Sequence, residues 1–116
     1  AGAVGSQTLL GIPTVQFLRG EIKDSQIWPF ETGFQPLSED ALENVTCVLA
    51  EIYPSTVSAV QNPGEVLDEA QVRTLAQHLQ TLDDAGKLAD AFGPPDSLDT
   101  RKIAQIEAEE GWILEK

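Results

Sequence analysis

Apolar and polar positions along this chain fall into short blocks punctuated by glycine and proline. The run Val45-Thr46-Cys47-Val48-Leu49-Ala50-Glu51-Ile52-Tyr53-Pro54 is apolar and β-branched, which predicts a buried strand over 45–52 that ends at Pro54. Earlier, Pro13 stands where a first helical turn begins, Val15 and Leu18 are three apart and Gly20 offers a stop, so a short helix over 13–19 is predicted. Ser25 to Phe30 reads as a short strand, confined to an edge or a strand end by Pro29. Gly33 to Asp40 reads as a loop, and Ser38 is placed to cap one helical turn.

After Pro63-Gly64 the period changes to that of a helix. Val72, Leu75, Ala76, Leu79 and Leu82 keep the three-and-four spacing that puts them on one face of a helix starting near Asp68. Asp83-Asp84-Ala85-Gly86 closes it, and Leu88, Ala91 and Phe92 form a second short stripe before the break at Gly93-Pro94-Pro95. A last helix starts near Ser97, turns Ile103 and Ile106 inward and stops at Gly111. Trp112-Ile113-Leu114 is an apolar tail expected to pack back on the body. The sum is an α/β domain with a few-stranded sheet packed by helices. Two strands do not make a sheet that stands alone, so further short extended pieces, a second copy in a homodimer, or another part of the protein is expected to complete it.

Composition narrows the classes of function. A chain of 116 residues with 41% hydrophobic content suits one domain over residues 1–116 with its own core. Its apolar runs are shorter than the roughly 20 residues of a membrane helix, and no basic segment followed by an apolar one marks a secretion signal. Cys47 stands alone, so no internal disulfide can form, and its apolar neighbours mark it as a small hydrophobe; a cytoplasmic protein is expected. Methionine is absent and the opening Ala1-Gly2-Ala3-Val4-Gly5-Ser6-Gln7 reads as the inside of a longer protein, so a domain excised from one is expected.

The net charge is −12, from 19 acidic and 7 basic residues, and the basic residues are scattered singly apart from Arg101-Lys102. Phosphate neutralisation drives non-specific nucleic-acid affinity, so autonomous DNA or RNA binding is not expected, and anionic membranes are repelled. Cations are the natural electrostatic partners. No glycine-rich phosphate loop, zinc spacing or serine elbow is present.

Four segments, Gly5 to Pro13, Trp28-Pro29-Phe30-Glu31-Thr32-Gly33, Ala50-Glu51-Ile52-Tyr53-Pro54 and Leu67-Asp68-Glu69-Ala70, resemble in order the later half of a bacterial family, the uncharacterised predicted RNase H-like nucleases. The resemblance implies a partial RNase H-like layered α/β fold in which carboxylates at strand ends and helix starts gather around Mg²⁺ or Mn²⁺ to cut phosphodiesters. On that reading Glu31, Glu51 and Asp68 are the catalytic carboxylates, with Glu51 and Asp68 the metal ligands. Hard cations of this kind require oxygen ligands grouped closely.

The family pattern begins with an aspartate on a first central strand, and nothing here corresponds to it. The chain then matches only the C-terminal portion, its metal site is weak without the N-terminal half, and it is inactive alone. Each acid also has a structural explanation. Glu31 can solvate a turn, Asp68 and Glu69 suit a helix start, and Glu51 can leave one sheet face for water rather than suffer unpaired burial. His78, on the flank of the helical stripe, is a surface residue before it is a ligand. The competing reading is a non-catalytic interaction or assembly domain, an accessory part of a biosynthetic protein, that binds a partner through an exposed strand edge and the Trp112-Ile113-Leu114 tail.

Overall fold

The computed structural model describes residues 2–115, with side chains from Thr8 onward. The opening segment read as internal to a longer protein therefore lies largely outside the described side chains. Among the described residues the fold is mixed α/β, with four helices and two small parallel sheets.

Helix α1 spans Gly2–Glu21 and carries Pro13 inside it, far longer than the short helix predicted over 13–19. Proline removes only one donor, the one that would reach Leu9, and the helix runs through it. Gly20 does not stop the helix either. The chain turns instead at Asp24, whose φ of 57° is tolerated by a short side chain that can bond its own backbone.

Strand β1 (Ser25–Ile27) pairs in parallel with β2 (Cys47–Leu49), Ser25 opposite Cys47 and Ile27 opposite Leu49. Beyond β1 the Trp28–Pro29 peptide is cis, and Trp28 N–H donates to the Leu49 carbonyl at 3.0 Å. The strand predicted over 45–52 is broken at Ala50. Its second piece, β3 (Glu51–Ile52), leaves β1 and pairs in parallel with β4 (Ile113–Leu114). The apolar tail therefore becomes a strand, with Leu114 buried, rather than a free element held out to a partner.

Ser38 acts as foreseen, its hydroxyl accepting from Ala41 N–H at 3.3 Å ahead of the 3₁₀ turn Asp40–Leu42. Helix α2 (Leu67–Asp84) buries Ala70 and Leu75 and half-buries Leu79 and Leu82, but Val72 is 60% exposed. The inward face is thus rotated from the stripe read off the sequence, because α2 packs against the turn Pro54–Thr56 and against α3 (Leu88–Ala91), and neither covers Val72.

Helix α4 (Thr100–Gln105) starts later than Ser97, at Asp99, whose carboxylate caps it by accepting from Lys102 N–H at 2.7 Å. It widens into a π turn over Ile106–Glu110 and stops at Gly111.

The core gathers Trp28, Phe34, Leu37, Ile106 and Leu114. Trp28 meets Phe34 and Phe92 edge-on with ring centres 5.5 and 5.7 Å apart, and its indole N–H donates to the Phe92 carbonyl at 2.9 Å. Cys47 is half-buried on β2 rather than sealed in this core. His78 and Glu115 lie 2.6 Å apart, tying α2 to the end of β4.

The segment before α2 is held by one ion pair. Arg73 donates to both Glu65 oxygens and to the Val60 carbonyl. The arginine hydrogen bonds first, and the Asn62 N–H second, hold the Glu65 carboxyl at about 2, below the ordinary 4.5. No helix among the described residues is long and apolar enough to cross a membrane.

Candidate functional site

The split of the 45–52 run lies beside a concave feature of the molecule. Where β3 turns away from β2 to meet β4, a cavity of about 650 Å³ opens between the sheets and α1. Glu51 lines it, as the first residue of β3 opposite Ile113. Trp28 and Phe30 contribute from the turn after β1, Tyr53 from the end of β3, and Gly111 and Trp112 from the entry to β4. The fourth wall is the face of α1 that carries Gly11, Ile12 and Val15.

Gly111 makes this arrangement possible. Its φ of 69° with ψ near −177° is backbone that glycine alone adopts without strain, and a Cβ there would lie 3.0 Å from the Phe30 ring. The bare backbone lets that ring rest on the β4 entry and form part of the cavity wall.

The carboxylates differ in what holds them. Glu110, at the cavity edge, accepts from Lys102 Nζ at 2.6 Å and from Gln105 Nε2 at 2.7 Å, so its charge is matched. Glu51 is exposed, and its carboxylate has no hydrogen bond or ion pair among the described residues. The penalty for burying it unpaired does not arise, because β3 keeps both of its residues toward solvent.

Of the three acids singled out in the sequence, Glu51 alone lines the cavity. Glu31 is engaged elsewhere: one oxygen receives Arg19 Nη2 at 2.5 Å and the other receives Ile27 N–H at 2.7 Å, which fastens the end of α1 to the turn after β1. Asp68 sits exposed in the first turn of α2, where a negative charge complements the helix N-terminus. Among the described residues no three His, Cys, Asp or Glu side chains are grouped to hold a metal ion, so Glu31, Glu51 and Asp68 do not form such a set.

Sequence reasoning missed Phe30, Glu110, Gly111 and Trp112 as neighbours of Glu51. Gly111 was legible as a stop, but nothing adjacent to it in the sequence pointed to the Phe30 ring.

Helix α1 adds a second surface. Residues 1–18 contain no Asp, Glu, Lys or Arg, in a chain whose net charge is −12. Leu10 and Phe17, two turns apart and so on one face, are 74% and 64% exposed, on the side away from Gly11 and Val15. The helix is apolar on both faces, one turned to the cavity and one to solvent. Comparison with protein-family models, with curated proteins and with solved structures finds no match for this chain.

Proposed function

We propose that this chain is a non-catalytic assembly module whose docking element is the outer face of α1, and whose partner is a second copy. The observation that carries this reading is the exposure of Leu10 and Phe17 on the part of α1 before Arg19, which holds no charged residue. A helix that is apolar on both sides belongs between two layers, and contiguous exposed apolar surface marks an interaction site. Charge selects the partner. Two chains of net −12 repel wherever acidic surfaces meet, and the stretch of α1 up to Leu18, without a charged residue, is where they can approach without that cost. A cytoplasmic setting goes with this reading and rests on the lone, half-buried Cys47.

Light scattering after size-exclusion chromatography tests it over a wide range of protein concentration. The wild type is expected to move from the mass of one chain to that of two, and a Leu10→Glu, Phe17→Glu variant with an unchanged circular dichroism spectrum is expected to stay at one. A single-chain mass for the wild type at every concentration overturns the proposal.

A second reading follows the resemblance to RNase H-like nucleases, and the unpartnered Glu51 beside Glu110 in one cavity favours it. Here Glu51 is one carboxylate of a magnesium or manganese site that the rest of a larger RNase H-like protein completes. Calorimetric titration of either metal should give heat with the wild type that Glu51→Ala abolishes; no heat with either protein removes this reading.

A further inference from the structure

We propose that the cavity between α1 and the β3–β4 pair is a binding site for an organic cation with an apolar body, such as an aralkyl or alkyl ammonium ion. A volume of about 650 Å³ is that of a small-molecule site, within the usual range of about 300–1,000 Å³. Its walls are mostly aromatic and aliphatic, with Phe30, Tyr53 and Trp112 among the lining residues and the buried Trp28 beneath them. Aromatic faces attract cations through their quadrupole, and more strongly once water is excluded.

The polar groups of the cavity select the sign of the ligand. Glu110 is neutralised by Lys102, whereas Glu51 offers a carboxylate with no partner among the described residues. Among the described residues no lysine or arginine lines the cavity to answer it. An ammonium group placed at Glu51 gains a charge-assisted hydrogen bond while its apolar body lies against the rings. A carboxylate or phosphate entering the same space meets Glu51 with like charge inside an already acidic molecule. This site uses the inner face of α1 and is independent of self-association through Leu10 and Phe17.

The cavity carries its own reporters, Trp28 and Trp112, so binding can be followed by tryptophan emission. Three probes share one apolar body and differ in the charge of the head: 4-phenylbutylamine, 4-phenylbutanol and 4-phenylbutyrate. The amine is expected to give a saturable change, the alcohol a change at least about tenfold weaker, and the carboxylate none. Glu51→Gln should bring the amine down to the level of the alcohol and leave the alcohol unchanged.

Gly11→Phe supplies a second, charge-neutral variant. A Cβ at Gly11 meets nothing within 4 Å, so the ring can enter the cavity from the α1 side without a backbone clash, and it should block the amine. Equal binding of amine and carboxylate, an amine titration untouched by Glu51→Gln, or no response to any of the three probes overturns the proposal.

Discussion

The Phe30 ring rests on Gly111, close enough that a Cβ at that glycine would stand 3.0 Å from the ring edge. The contact joins the turn after β1 to the entry of β4, and through it the two small sheets share one cavity wall. Gly111→Ala must strain the backbone at φ 69° and displace the ring. A loss of about 1–3 kcal/mol in urea unfolding is expected. A change near zero would mean that the ring moves freely and the wall is not fixed by this contact.

Arg19 and Glu31, 2.5 Å apart, tie the end of α1 to the rest of the molecule. Both side chains are more than one-third exposed, so water and salt screen the pair and its coupling should be modest, about 0.2–1 kcal/mol in a double-mutant cycle. The local effect should be larger than the global one. In Arg19→Ala, amide hydrogen exchange is expected to quicken along α1 while the core amides of α2 keep their protection.

The rotated face of α2 and the sealed position of Ile106 can be checked together. Ile106, at 0% exposure, should cost about 2–5 kcal/mol when cut to alanine, because a cavity remains in a core closed by Trp28, Phe34 and Leu114. Val72→Ala should stay within about 0.5 kcal/mol, since its side chain is largely in water. If Val72 proved as costly as Leu75, the stripe read from the sequence would describe α2 better than the packing seen here.

Glu65 provides the pH prediction. Its carboxyl is depressed from 4.5 to about 2 in the folded chain, chiefly by the Arg73 hydrogen bonds and then by Asn62 N–H. The folded state therefore holds the proton less tightly than the unfolded one, so the contribution of this group is complete above about 4.5 and fades as the pH falls toward 2. The difference in thermal midpoint between the wild type and Glu65→Gln should be greatest near neutrality and shrink across that acid window. A difference that does not change with pH would show that the glutamate acts through shape alone.

The elements ruled by local chemistry were legible before any packing was known. Helix α2 declared itself by period, Ser38 by its capping hydroxyl, and the stop at Gly111 by the freedom of its backbone. In each case the decisive interactions lie within a few residues. Glu51 was also placed near a strand end from sequence, because a lone acid in an apolar run has few places to go.

Tertiary structure decided the rest. Whether Val45 to Ile52 forms one strand or two depends on partners far along the chain, β1 for Val48 and β4 for Glu51, and a continuous apolar run does not say where one partner gives way to the other. Glu31 and Asp68 were singled out beside Glu51, whose place in an apolar run set it apart; Arg19 takes the first and the α2 N-terminus accounts for the second. The apolar length of α1 was hidden by Pro13 and Gly20, whose effects on a helix depend on what surrounds it. Local propensity and period are written in neighbouring residues, whereas strand pairing, cavity walls and the partner of each charge are set by contacts between segments that only the folded chain brings together.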